Sequence, residues 1–256
     1  MINWDPKQYS KFEQERSRPF FDLVDRIPEG HVRFGADLGC GSGALTLELA
    51  KRWVEAKIWG VDKSREMLDQ ARAIHAPSQV HFVEADIARW RPPFPLERIV
   101  SNAALQWVPA HPVIFPRLVN LLTSDGVLAV QMPNNYGEAS HSLLAETVRE
   151  GSWSRALRGM SPQRFSLTPD WYEKLLRGLG CSVQIWETIY RQLLPGEDPV
   201  LHWMKGTALL PVLGRLEFDL RDEFLASYGE KLRKAYPETE LGTAFPFRRM
   251  FLVAKK

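Results

Sequence analysis

The stretch ADLGCGSGALTLELA, residues 36–50, holds three glycines in five residues, Gly39, Gly41 and Gly43. The apolar run before it, VRFGADL (32–38), reads as a strand. The segment after it, GALTLELAKRW (43–53), has apolar residues every three or four positions and reads as a helix. A turn that leads from a strand into a helix presents backbone N–H groups and the positive end of the helix to its surroundings. Glycines in such a turn let a ligand come close to the main chain.

Outward from this turn the alternation continues. AKIWGVD (56–62) reads as a second strand, SREMLDQARAIH (64–75) as a helix capped by Ser64, and VHFVEAD (80–86) as a third strand. RIVSNAAL (98–105), a helix over 112–122, and GVLAVQM (126–132) follow. Strands alternating with helices imply right-handed crossovers and a mostly parallel sheet, an α/β Rossmann-like fold with helices on both faces. The second half is richer in helix, with helical spacing over 138–149, 169–179, 197–210 and 216–235. Two strand-like runs, CSVQIWETIY (181–190) and RRMFLVAK (248–255), are separated by roughly 55 residues, far more than a hairpin needs. The expected organisation is therefore a core of residues 1–133, 171–191 and 245–256, with 134–170 and 192–244 inserted as a helical cap.

Composition narrows the function. The chain has 256 residues, 45% of them hydrophobic and 25% charged, with a formal net charge of +2. That balance gives no reason to expect nucleic acid or an anionic membrane as partner. The N-terminal MINWDPKQYSKFEQERSR is polar, without the apolar core of a signal peptide, and no apolar run approaches the ~18 residues of a membrane span. Cys40 and Cys181 form neither a disulfide framework nor a metal quartet and read as free thiols of a reducing compartment. The six histidines, at 31, 75, 81, 111, 141 and 202, show no ligand spacing, so no metal is expected. A cytoplasmic monomer is expected.

The residues around the turn choose between cofactors. Asp62 ends the second strand about 20 residues past the last glycine, where a carboxylate binds ribose hydroxyls. It suits the free 2′-hydroxyl of NAD or of S-adenosylmethionine. The dinucleotide fingerprint is G-x-G-x-x-G; this turn is G-x-G-x-G, with Asp37 two residues before the first glycine. An acid there repels a pyrophosphate but suits the ammonium of a methionine moiety. Asp86, in the third strand's EADI, offers a carboxylate to an adenine amino group. Asn102 and Trp107 follow the fourth strand at the carboxyl edge, where ligands sit in open α/β sheets. The simpler alternatives are a capping role for Asp62, a turn role for Asp86 and plain packing for Trp107.

DLGCGSG, GVDKS and VEADI resemble the motifs of class I S-adenosylmethionine-dependent methyltransferases. KFEQERSRPFFDLVDRIP, SNAALQWVPAH, GVLAVQMPNN and FPFRRMFLVA are similar to the trans-aconitate 2-methyltransferase family, so that the likeness spans almost the whole chain. It implies S-adenosylmethionine held by Asp37, Gly39, Cys40, Gly41, Gly43, Asp62, Lys63, Asp86, Ile87, Asn102 and Trp107. It also implies a seven-stranded sheet whose last strand is antiparallel, and a lid over the cofactor formed by residues 1–30, with Tyr9 facing it. The implied reaction is methyl transfer to a carboxylate of a small di- or tricarboxylic acid. Three segments depart from the family pattern: Leu210 stands in GTALLP where the family has arginine, Arg191 follows Tyr190 where it has histidine, and PNNYGEASH replaces a PDN…EPTH pattern.

The chemistry asks little of the protein. A carboxylate with a pKa near ~4 is ionised at neutral pH and needs no general base. Alignment and exclusion of water can then supply the rate, so no catalytic acid or base is expected. A polyanionic substrate calls for arginines, which grip carboxylates through two parallel bonds. The candidates are Arg249, which matches the family's segment before the last strand best, with Arg16, Arg18, Arg164 and Arg191, alongside Trp107 and Tyr190. Arg248 and Arg249, adjacent on a strand, face opposite ways. Two other readings fit the same motifs: a carboxyl methyltransferase acting on malonyl-acyl-carrier protein, and an S-adenosylmethionine-binding module without activity.

Overall fold

The computed structural model describes residues 13–160 and 166–256, the side chains of 13–16 excepted. Helix α1 (Glu13–Val24) leads into β1 (Phe34–Leu38), α2 (Ala44–Arg52), β2 (Lys57–Asp62), α3 (Arg65–Ala73), β3 (Val80–Glu84) and β4 (Leu96–Asn102). A 3-10 turn (Leu105–Trp107), α4 (His111–Asn120) and β5 (Leu122–Pro133) complete the alternating half. Then come α5 (Ala139–Arg149), α6 (Pro169–Gly178), β6 (Ser182–Leu194), α7 (Pro199–Lys205), α8 (Leu210–Leu213), α9 (Phe218–Ala235), β7 (Glu238–Thr239) and β8 (Gly242–Lys255).

The strands form one eight-stranded sheet in the order β3-β2-β1-β4-β5-β8-β6, with β7 paired to β8. The first five strands are mutually parallel and β8 runs antiparallel to β5. The eighth strand, beyond the seven implied by resemblance, is the two-residue β7. β1, β2 and β4 are buried on both faces, which is why they read as apolar runs rather than alternating ones. The strand order reverses between β1 and β4, a switch point whose carboxyl edge opens a crevice for ligands.

The elements follow local chemistry. Ser64 caps α3 by accepting the Met67 N–H at 3.3 Å, and Thr168 caps α6 through the Trp171 N–H at 3.4 Å. Lys51 and Arg52 complement the carboxyl end of α2. Four boundaries differ from the sequence pattern. α4 stops at Asn120 and β5 begins at Leu122, because the polar Thr123–Asp125 stretch extends the strand rather than the helix. β6 and β8 run longer than expected, to Leu194 and from Gly242.

The described residues divide into two compact units. Residues 16–133, 166–188 and 249–256 form one, and its core is the sheet with its flanking helices, including Leu38, Val61, Ile99, Phe115, Leu128 and Leu252. Residues 134–160 and 189–248 form the other, with a separate core around Trp153, Trp203, Phe224, Tyr228 and Phe245. In this second unit the Tyr228 hydroxyl donates to the Ser140 carbonyl at 2.6 Å, and the Ser140 N–H donates to the Tyr236 hydroxyl at 3.0 Å. Lys231 on α9 bridges Glu146 of α5 and Glu150 just past its end. No helix among the described residues is long and apolar enough to cross a membrane.

Candidate active site

The glycine turn leaves β1 at Leu38 and enters α2 at Ala44. Gly39 has φ +81°, and a Cβ there would stand 2.1 Å from the Ala104 Cβ. Gly43 has the same φ, and its Cβ would meet the Phe82 ring at 2.6 Å. Both positions therefore require glycine, for the backbone conformation and for the close approach of neighbours. At Gly41 a Cβ would meet nothing within 4 Å among the described residues, which leave the main chain there open to a ligand.

Asp62 ties the turn to β2. Its Oδ2 accepts the Gly41 N–H at 2.9 Å and its Oδ1 the Ser64 N–H at 2.8 Å. Each oxygen keeps a further lone pair for a hydroxyl donor. Capping and ligand holding are thus compatible roles for this one side chain. Asp62→Ala is expected to weaken binding of S-adenosylhomocysteine about tenfold, the scale of one charge-assisted hydrogen bond, as read by calorimetry.

Asp37 is 3% exposed and accepts a hydrogen bond from Thr46 Oγ1 at 2.7 Å. Burial pushes its carboxyl up to about 6, against the opposing Thr46 bond and with help from the neighbouring Asp62 charge. A buried carboxylate of this kind is paid for when a cation arrives. Cys40, in the turn, is buried and its thiol is raised well above the usual range by burial, so it packs rather than reacts.

Asp86 sits differently from the expectation. β3 ends at Glu84, and Asp86 lies exposed two residues beyond, where its Oδ1 accepts the Ala88 N–H at 2.8 Å and shapes a turn. Ile87 behind it is buried, and Lys63 is exposed. Asn102 ends β4, and its Oδ1 is buried with no hydrogen-bond partner among the described residues. Trp107 is half-buried in the 3-10 turn that follows.

Sequence reasoning missed what holds that turn. Ala103 has φ +53°, a conformation unusual for a residue with a Cβ. It is fixed by its N–H to the Gln131 carbonyl at 2.9 Å and by Gln106 Nε2 donating to its own carbonyl at 2.6 Å. Further along, His111 Nε2 meets the Leu105 carbonyl at 2.9 Å, which fixes Nε2 as the donor and Nδ1 as the acceptor. Nδ1 then receives the Tyr172 hydroxyl at 2.5 Å, and Tyr172 in turn accepts the Leu167 N–H at 3.0 Å. Burial holds His111 below its usual pKa, hence neutral. Tyr172→Phe strands two buried partners, and a loss of about 1 kcal/mol in urea unfolding is expected.

The arginines separate. Arg249 is 3% exposed on β8, paired in register with Pro133 at the carboxyl end of β5, and its Nη1 donates to Gln131 Oε1 at 3.3 Å. Arg248 faces the other way and lies 3.9 Å from Glu138. Arg18 is exposed on α1, and Arg191 is exposed on β6 beside the buried Tyr190. Tyr9 and Arg164 lie outside the described residues, as does the side chain of Arg16. The strand registers put Asp37, Asn102, Gln131 and Arg249 on one face of the sheet, since Asp37 pairs with Val100, Asn102 with Gln131, and Gln131 with Phe251.

A glycine turn with Gly41 clear of described neighbours, a buried Asp37 and an Asp62 that closes β2 beside the turn fit S-adenosylmethionine, and this fold and site define a class I S-adenosylmethionine-dependent methyltransferase. The family model of a methyltransferase domain matches residues 36–126. Solved structures with the same fold include a phosphoethanolamine N-methyltransferase from Haemonchus contortus in complex with S-adenosyl-L-methionine (TM-score 0.57, 16% identity, 93% of this chain and 52% of that one). An S-adenosylmethionine-dependent methyltransferase from Mesorhizobium loti also matches (TM-score 0.53, 17% identity, 94% and 98%). Among curated proteins, the trans-aconitate 2-methyltransferase of Streptomyces avermitilis is 45% identical over 99% of this chain and 97% of its own length. That of Escherichia coli is 40% identical over 100% and 99%. The chain belongs to the trans-aconitate 2-methyltransferase family.

Proposed function

We propose that this methyltransferase esterifies one carboxylate of a small di- or tricarboxylic acid, with trans-aconitate as the foremost substrate. The observation that carries the proposal is Arg249, a buried guanidinium on the same sheet face as Asp37 and Asn102, whose Nη1 donates to a neutral amide. The names of relatives at 40–45% identity over nearly full length support the same choice.

Bound S-adenosylmethionine supplies an electrophilic methyl group. Asp37, Gly41, Asp62 and Asn102 are the residues assigned to hold it, with Cys40, Lys63, Asp86, Ile87 and Trp107 around them. Asp37, once ionised, balances the methionine ammonium; Asp62 accepts from ribose hydroxyls. Arg249 receives a substrate carboxylate. No residue need take a proton, because the substrate's carboxylate is already ionised. Exclusion of water from the reacting oxygen strengthens the arginine's hold. Arg16, Arg18, Arg164, Arg191 and Tyr190 remain candidates for further carboxylates, and residues 134–170 and 192–244 are assigned the substrate-selecting role. A cytoplasmic monomer is the companion proposal, checked by light scattering.

The test is a transfer assay with methyl-labelled S-adenosylmethionine against di- and tricarboxylates and malonyl-acyl-carrier protein, scoring base-labile esters. Label in a small tricarboxylate is expected. Label only in the carrier protein, or none, refutes the proposal.

A further inference from the structure

We propose that Gln106 is a positioning residue of the methyl-donor site: it locks the turn after β4 in a strained form that wedges Ala104 against Gly39, and so holds the glycine turn in its binding shape. This rests on the donor site assigned above and is independent of which acid is methylated.

Ala103, the first residue past β4, has φ +53°. A residue with a Cβ avoids that left-handed form, and such strain persists only where neighbours over-determine it. Here it is held from both sides. The Ala103 N–H donates to the Gln131 carbonyl at 2.9 Å, a backbone bond that needs no particular side chain. Gln106 Nε2 reaches back three residues and donates to the Ala103 carbonyl at 2.6 Å. This second bond depends on the residue type. Gln106 is 6% exposed, and the Ala103 carbonyl is the amide's one hydrogen-bond partner among the described residues. An amide buried for a single bond costs more than an apolar side chain of the same size, so packing alone does not explain a glutamine here.

The strained turn bears on the donor site through Ala104. The Ala104 Cβ lies 2.1 Å from where a Cβ on Gly39 would stand, so the two turns interlock with no room for a side chain between them. Gly39, Gly41 and Gly43 all have positive φ, and glycines have no side chains of their own to hold them there. Ala104 is the wall on that side. The rest of the 3-10 turn is fixed without Gln106: the Ala104 carbonyl accepts the Trp107 N–H at 3.0 Å, and the Leu105 carbonyl meets His111 Nε2 at 2.9 Å. Release of Ala103 to an ordinary backbone form turns the chain after Asn102 another way and lifts Ala104 off Gly39.

The experiment measures S-adenosylhomocysteine binding by calorimetry. Gln106→Leu is expected to weaken it about tenfold, the ratio by which a left-handed alanine is disfavoured. Adding Ala103→Gly to that variant is expected to bring the affinity back to within about threefold of wild type, because glycine takes positive φ without strain and no longer needs the amide. A packing defect at position 106 would not be repaired from position 103. Where Gln106→Leu fails to fold, Gln106→Glu, which has no N–H to donate when ionised, takes its place with and without Ala103→Gly. Wild-type affinity in the single variant, or no recovery in the double one, overturns the inference while the donor site stands. If the wild type itself binds no S-adenosylhomocysteine, the donor-site reading falls and this inference with it.

Discussion

Asp37→Asn is expected to make the protein more stable and the enzyme unable to hold its methyl donor well. The wild-type carboxyl is 3% exposed and raised from 3.8 to about 6. Such a group favours its neutral form in the folded state, so the stability it contributes is full below about pH 4 and is lost as pH rises through 6. By pH 7 the accumulated cost is about 3 kcal/mol, two pKa units at 1.36 kcal/mol each. Asparagine keeps an oxygen for the Thr46 hydroxyl and carries no charge. The variant should melt several degrees higher at pH 7, with the gain fading towards pH 4. Its affinity for S-adenosylmethionine should fall about 10- to 150-fold, the worth of a charge-assisted bond to the ammonium. In the wild type that affinity should weaken about tenfold between pH 7 and pH 5, as Asp37 takes up a proton, and the variant should show no such step. A variant no more stable at pH 7, or one whose donor affinity keeps the wild-type pH profile, refutes this account of Asp37.

Arg249→Ala is expected to lower kcat/KM for trans-aconitate by a factor approaching 100 while S-adenosylhomocysteine binding stays unchanged. One buried carboxylate pair contributes about 1.5–3 kcal/mol. Arg249→Lys should recover part of the loss, since an ammonium cannot reproduce the planar fork that faces Gln131 and the substrate. Adding ~0.5 M salt to the wild type should cost less than the substitution, because a buried pair is weakly screened. Unchanged carboxylate kinetics would move the clamp to Arg16, Arg18, Arg164 or Arg191.

The parallel half of the sheet was legible because strands such as GADL and KIWGVD are buried on both faces and read as unbroken apolar runs. The Asp37–Gly43 turn and Asp62 were legible for a related reason: local spacing alone fixes where they fall relative to β1 and β2. The start of β5, the end of β6 and the start of β8 were not. Their extra residues are polar or alternate, and pairing across the sheet, not local preference, makes them strand. The third strand was read through to Asp86 but stops two residues earlier, at Glu84, since a turn aspartate and a strand-terminal one look alike in sequence. The Gln131–Arg249 contact and the His111–Tyr172 pair join residues 118 and 61 positions apart. Strand register and helix packing create both, and neither leaves a periodic signal.

The place of β8 has a consequence for synthesis. It is made after β1 to β7, yet it lies inside the sheet, between β5 and β6. Until residues 249–255 have left the ribosome, the inner edge of β5 carries unpaired backbone beside Val127, Leu128 and Val130, an invitation to wrong partners. The same late strand brings Arg249. The glycine turn, Asp37 and Asp62 lie within the first 62 residues of the sequence and are therefore synthesised long before the proposed substrate clamp. A chain that stops short of residue 249 lacks both the partner of β5 and the proposed clamp, so that completing the sheet and completing the proposed substrate site become one event.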